Sequence, residues 1–205
     1  MKLYIAPRAP NPRRVQMFLA EKGVHDLDQI EVDLNAQEHK SEVFRAKSPM
    51  ARVPALEFDD GRVLTETRAI CTYLEGLHPE PNLMGRDATE RAFIEMADRR
   101  IEWYFMLPIA HAVRHTHPGL APLEQPQFPE FGLSQAGKAR ETAAWLDGEL
   151  QRQPWIAGDR FTIADITAFC ALEFARLMRF KPADEGLKAL QAWRDRVAAR
   201  PSAGI

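Results

Sequence analysis

Between Met1 and Ser41 the chain contains no serine, threonine or cysteine. The first fifth of the protein therefore offers no aliphatic hydroxyl and no thiol, either as a nucleophile or as a small donor to an anion. The whole chain of 205 residues has two cysteines, Cys71 and Cys170, far apart inside apolar helical patterns. That excludes a disulfide framework and a Cys-x-x-Cys redox pair, and it predicts buried free thiols in a reducing compartment. Charge of one sign is also scarce. Lysine and arginine number 27 against 29 acids, for a formal net charge of −2, so no long-range field favours nucleic acid or an anionic membrane. No apolar run approaches the ~20 residues of a membrane span. The opening Met1–Pro7 stretch is too brief for a signal peptide. A cytoplasmic protein with neither nucleic acid nor membrane as partner is expected, and its length permits a sizeable core in one or two domains.

What is present first is a change of period along the chain. Lys2–Ala6 reads as a strand. Pro12 suits the first turn of a helix, and Val15, Phe18 and Leu19 continue it at i, i+3 and i+4 until Gly23. Gln29–Val32 is a second short strand and Ser41–Ala46 a short helix. Ala55–Phe58 and Arg62–Leu64 flank Asp59-Asp60-Gly61, a hairpin signal. Thr67–Leu77 is helical, with Ile70, Tyr73, Leu74 and Leu77 on one face. The order is β-α-β-α-β-β-α. Helices between strands demand a parallel pair and the closing hairpin adds antiparallel ones, so the sheet is mixed, in the thioredoxin-like order.

Two prolines in His78-Pro79-Glu80-Pro81 stop that helix and stiffen a linker. Beyond it no strand pattern survives. Glu90–Arg114 reads as one long helical stretch, followed by Leu133–Leu150, Ile163–Leu177 and Leu187–Ala199. The proline-rich run from Gly119 to Gly132 reads as a long loop. The expectation is an α/β domain over residues 1–80 and an all-helical domain over residues 86–205. Within the second, Phe161-Thr162-Ile163-Ala164-Asp165-Ile166 spells a capping box, with Phe161 and Ile166 placed as a hydrophobic staple. Aspartate is one methylene shorter than the usual glutamate, so the box must be tight. Its role is read as structural.

The chemistry gathers around Ala51-Arg52-Val53-Pro54-Ala55-Leu56 and, ten residues after Leu56, Glu66-Thr67-Arg68-Ala69-Ile70. A proline at the first residue of a strand needs no ladder donor. A cis Val53–Pro54 peptide would turn the backbone groups of Val53 outward, where an extended peptide can pair with them. Glu66 and Thr67 then set an acid and a hydroxyl at a helix start. A sheet edge together with a helix N-terminus forms a receptor for a small peptide with an anionic end.

This pairing, at this distance from the N-terminus, resembles the glutathione-binding half of the cytosolic glutathione S-transferases. Trp155-Ile156-Ala157-Gly158-Asp159 with the capping box looks like that family's C-terminal signature. Pro10-Asn11-Pro12-Arg13-Arg14-Val15, Phe18–Gly23, Arg99–Trp103 and the His-Pro-Gly-Leu run at His117 are similar to the Gtt2-like group. The resemblance implies glutathione as co-substrate, a small hydrophobic electrophile held against the helical domain, a homodimer and no metal. It implies that Glu66 meets the γ-glutamyl ammonium and Thr67, with helix-start amides, its carboxylate. It assigns Val53 and Pro54 to the peptide backbone, and Arg52 with His39 or Lys40 to the glycyl carboxylate.

One position departs from the family pattern. The serine or cysteine that holds the thiolate in many members stands six residues before the valine of the first helix, and here that residue is Ala9. Tyr4 lies early, within the first strand, and reads as core. Members of the Gtt2-like group are taken to use the N-terminus of the first helix and a water held by the helical domain. Pro10 and Pro12 remove two donors from this loop, which points to the Asn11 amide, with Arg8 or Arg13 as nearby positive charge. His115, then His117, are the candidates to hold the water. His111 and His115 share a helix face, but no third ligand accompanies them, so a metal site is not expected. Two other uses of these residues stay open: glutathione binding without turnover, and a glutathione-dependent isomerase or dehalogenase.

Overall fold

The computed structural model describes residues 1–204, which fall into two compact units, Met1–Pro81 and Asn82–Gly204. In the first, β1 (Lys2–Ile5), α1 (Pro10–Glu21), β2 (Asp28–Glu31), α2 (Glu42–Lys47), β3 (Ala55–Glu57), β4 (Val63–Thr65) and α3 (Thr67–Leu77) follow in order. The sheet order is β2-β1-β3-β4. β1 and β2 are parallel, and the β1–β3 and β3–β4 pairs are antiparallel. This is the mixed thioredoxin-like sheet that the alternation of periods implies. β2 is exposed along its whole length and carries an acid at each end, which blunts an edge that would otherwise template further pairing. The hairpin between β3 and β4 turns at Gly61, whose φ of 85° lies in the region that favours glycine. Asp60 accepts the N–H of Arg62 there at 3.0 Å.

Strand register decides where the functional loops go. Tyr4 lies opposite Ala55, and Ala55 lies opposite Thr65. The chain leaving β1, the chain entering β3 and the chain leaving β4 therefore emerge at one end of the sheet. β2 runs parallel to β1, so its exit joins them. Ala6–Ala9, the segment after Val32, Val53-Pro54 and Glu66-Thr67 are collected on one rim. Ala6, Val32, Phe44 and Val53 form a buried cluster there, with Ala9 packed against it.

The second unit is helical: α4 (Ala88–Ile101), α5 (Leu107–Thr116), α6 (Pro129–Leu150), α7 (Ile163–Ala175) and α8 (Lys188–Ala198), with short 3-10 turns. The stretch read as one helix over Glu90–Arg114 is α4 and α5 joined by a π-helical turn over Glu102–Met106. Pro108 explains the interruption. It has no N–H to give the carbonyl of Tyr104, four residues earlier, and that carbonyl accepts the Thr142 hydroxyl from α6 instead, at 2.7 Å. The long loop expected from Gly119 to Gly132 is shorter than that. Pro118–Leu123 is a 3-10 turn and α6 already begins at Pro129, because proline is preorganised for the first helical position. Cys71 and Cys170 are buried free thiols.

The capping box is formed, and it reaches further than its sequence shows. Asp165 is fully buried and accepts the N–H of Thr162 (2.9 Å), the N–H of Ile156 (3.0 Å), the Trp193 indole N–H (2.9 Å) and the Thr162 hydroxyl (3.3 Å). One carboxylate thus ties the Trp155–Gly158 turn and the core of α8 to the start of α7. Burial pushes its pKa up to about 6, against the pull of these four donors.

Candidate functional site

The loop after β1 enters α1 through Ala9, whose methyl group supplies no cap. Prolines 10 and 12 have no N–H. The Ala9 amide is spent on the carbonyl of Ala6 at 3.2 Å, and the Arg13 amide on that of Ala9 at 3.3 Å. The Asn11 N–H is then the one first-turn donor of α1 with no partner among the described residues. Its side chain is engaged elsewhere, since Asn11 Oδ1 accepts from Arg14 Nη1 at 3.2 Å. An unspent N–H at a helix start carries the positive end of the macrodipole.

Tyr4 is not available for the same work. Its hydroxyl donates to Glu57 Oε2 at 2.5 Å, Lys47 pairs with Glu57 Oε1 at 2.7 Å, and the Lys47 ammonium lies 5.3 Å above the phenol ring. Burial and the bond to Glu57 raise the pKa of Tyr4 above the ordinary phenol value. Its proton is committed to a carboxylate. No local motif signals this triad, which joins β1, α2 and β3.

The Val53–Pro54 peptide is cis. Neither the N–H nor the C=O of Val53 has a hydrogen-bond partner among the described residues, although its side chain is buried. Just before it, the Ser48 hydroxyl brackets the Arg52 backbone, accepting its N–H at 3.2 Å and donating to its carbonyl at 2.8 Å. The Arg52 side chain is exposed and has no partner among the described residues. Ser48 is buried and was not singled out from sequence; a serine in front of Pro49 was its only cue.

At the start of α3, Glu66 has φ 68° and ψ 119° and makes no side-chain cap. A glutamate held at positive φ costs roughly 1–3 kcal/mol, and such residues cluster at binding sites. Its carboxylate is exposed and has no partner among the described residues. Thr67, next in the chain, is buried, and neither its hydroxyl nor its N–H has a partner among the described residues. His39 is buried within the 3-10 turn Glu38–Lys40, and Lys40 is exposed beside it. The rim thus brings together free peptide groups, an anion, a hydroxyl with a helix-start amide, and a cation. Those are the complements of a short peptide with charged ends.

In the helical unit, His115 and His117 lie at the end of α5. His115 Nδ1 accepts the N–H of Phe128 and His117 Nδ1 that of Gly119, both at 3.1 Å. His111 sits one turn earlier against the ring of Phe131, and burial lowers its pKa. Arg99 is the centre of a local ion network with Glu95, Asp98 and Glu102, as the charge pattern of α4 suggests.

The chain matches two family models, the glutathione S-transferase N-terminal domain over residues 3–82 and the glutathione S-transferase C-terminal domain over residues 106–201. It is 37% identical to glutathione S-transferase 2 of Saccharomyces cerevisiae, over 98% of this chain and 87% of that protein. Its fold is similar to the crystal structure of Gtt2 from the same yeast, with a TM-score of 0.93 and 98% of each chain covered. A glutathione S-transferase domain-containing protein of Marinobacter aquaeolei is 43% identical, with a TM-score of 0.94 and coverage of 98% of this chain and 99% of that one.

Proposed function

The chain belongs to the glutathione S-transferase family, and from that membership we propose that it joins the thiolate of glutathione to small hydrophobic electrophiles. Glu66 takes the γ-glutamyl ammonium, and the Thr67 hydroxyl and amide take the neighbouring carboxylate. The cysteinyl unit pairs with the open N–H and C=O of Val53, ahead of Pro54. Arg52, with His39 and Lys40, faces the glycyl carboxylate. The sulfur accepts the Asn11 N–H, near the charges of Arg8 and Arg13. A water held by His115, or second by His117, supplies a further bond. The protein works on this reading as a cytoplasmic homodimer. The exposed Phe93, Trp103, Tyr104 and Trp145 on α4, the π-turn and α6 support a partner-covered surface.

The energetics suit a site without a hydroxyl or thiol. A free thiol ionises near ~8.5 and a useful one near ~6.5, a difference of roughly 2.7 kcal/mol. A partly buried helix N-terminus gives up to about 2 kcal/mol, and one hydrogen bond to the charged form supplies the remainder. Catalysis is then proximity together with thiolate stabilisation.

The observation that carries the binding part is the pair of unspent Val53 peptide groups on the same rim as the strained, uncapped start of α3. Calorimetry of glutathione binding tests it. Glu66→Ala should weaken binding about 30-fold, roughly 2 kcal/mol, because the ligand's ammonium loses its counter-charge. Unchanged affinity in a folded variant would remove the ground for this reading. Turnover of a generic aryl halide separates a transferase from a protein that only binds glutathione.

A further inference from the structure

Ser48 follows the last turn of α2 and is 1% exposed, yet every polar group it has is spent nearby. Its N–H closes α2 on the carbonyl of Phe44, and its carbonyl accepts the N–H of Ala51, both at 2.8 Å. Its hydroxyl accepts the N–H of Arg52 at 3.2 Å and donates to the carbonyl of the same residue at 2.8 Å. The segment from Ser48 to Arg52 is thereby closed into a tight loop. Ala51, buried and at φ 52°, takes the left-handed conformation within it.

Two polar groups of one residue that converge on a single oxygen define that residue's conformation. The N–H and C=O of a residue point the same way in an extended chain, and those of the next residue then point to the opposite edge. The Arg52–Val53 peptide is planar, so a carbonyl held toward Ser48 turns the N–H of Val53 away from it. The Ser48 hydroxyl does for Arg52 what a neighbouring strand would do. The N–H and C=O of Val53, which have no partner among the described residues, are left on the other edge. The serine is itself held from two sides. Lys47, directly before it, pairs with Glu57 of β3 at 2.7 Å. Phe44, which takes its N–H, shares a buried cluster with Val53. Sheet, helix end and hydroxyl together fix one peptide plane.

We propose that Ser48 is a positioning residue for glutathione: by holding the Arg52 carbonyl, its hydroxyl aims the Val53 N–H at the cysteinyl carbonyl of the ligand. This rests on the reading that the cysteinyl unit pairs with Val53. Ser48 itself touches neither the peptide nor the sulfur. Its loss should loosen the hold on the cysteinyl carbonyl and leave the γ-glutamyl end, which the same reading places at α3, as it was.

Amide hydrogen exchange on the wild-type protein and calorimetry on variants test this. Without ligand the Arg52 amide should be protected and the Val53 amide should not. Saturating glutathione should slow exchange at Val53 by about tenfold or more. In Ser48→Ala, glutathione should bind about fivefold or more weakly, the effect of one lost hydrogen bond. γ-Glutamylcysteamine has the γ-glutamyl end and the thiol but no cysteinyl carbonyl, and it should bind wild type and variant to within about twofold. Ser48→Cys fills the same space with a poorer hydrogen-bonding group, and it carries the same comparison if the alanine variant does not fold. Equal weakening of both ligands would make Ser48 a general support of the loop and overturn the proposal. A Val53 amide that glutathione leaves unprotected overturns it together with the reading of the site. A protected Val53 with unchanged glutathione affinity in the folded variant overturns the proposal alone.

Discussion

The starts of α1 and α7 are both helix N-termini, and they are built in opposite ways. At α7 the Thr162 hydroxyl takes the Ala164 amide, Asp165 takes the Thr162 amide and the Leu83 carbonyl takes the Ile163 amide, and the same aspartate collects the Ile156 amide and the Trp193 indole from further off. At α1 an alanine stands in the cap position, two prolines delete donors, and the Asn11 amide is left open. The start of α3 resembles α1 in this respect, with an uncapped glutamate at positive φ. By contrast α2 and α4 carry Ser41 and Asp87 as caps, and α8 borrows Asp147 for the Leu190 amide. Leaving a helix start unsatisfied costs stability. In the N-terminal unit that cost falls on the rim where the sheet collects its loops, and on the proposed reading the open donors meet the charged groups of glutathione.

The contrast breaks most visibly at Asp165. Asp165→Ala strands three N–H groups in the interior and should cost about 3 kcal/mol or more, read as a lower urea midpoint, while glutathione affinity per folded molecule stays the same. An equally stable but inactive variant would show Asp165 to be a functional residue. Acid sharpens the same point. The folded pKa of Asp165 is about 6, above the ordinary 3.8. A carboxyl raised on folding stabilises the native state below its unfolded pKa, and that contribution is lost as pH rises through 6. The stability gap between wild type and Asp165→Ala should therefore widen as pH falls from 7 to 4, by up to about 3 kcal/mol. A gap that narrows would place the ionised form, with its four donors, as the more stable one. The smallest effect is expected at Tyr4. Its hydroxyl is a filled group, so Tyr4→Phe should cost about 1 kcal/mol of stability and leave the ionisation of bound glutathione where it was.

The parts of the molecule that were legible in the sequence are the local ones. Val53-Pro54, Glu66-Thr67 and the Thr162–Asp165 box each state their geometry within a few residues, through proline, cap and hydroxyl chemistry. The order of strands and helices followed from period alone. What stayed hidden depends on residues distant in the chain. Trp193 reaches Asp165 from α8, and Glu57 and Lys47 capture Tyr4 from two other elements. Pro108 marks a break in the long helix only once Thr142 is seen to take the freed carbonyl. The loop read from Gly119 to Gly132 is shorter in the fold because proline starts helical turns as well as breaking them, and Pro118 and Pro129 each begin one. In the first loop the two prolines already point to Asn11, and the bonds of the Ala9 and Arg13 amides to the carbonyls of Ala6 and Ala9 leave it as the first-turn donor with no partner among the described residues.

The central claim is that an open backbone amide at α1 stabilises the thiolate in place of a side chain. The measurement that reaches it most directly is the ultraviolet titration of the thiolate of bound glutathione. Asn11→Ala keeps the amide and loses the side chain, whereas Asn11→Pro deletes the amide at a position in the first helical turn where proline is tolerated. The account predicts a thiol pKa close to wild type in Asn11→Ala and one raised by about one unit, about 1.4 kcal/mol, in Asn11→Pro. A pKa that rises equally in both variants, or that stays at the wild-type value in the folded proline variant, would contradict it.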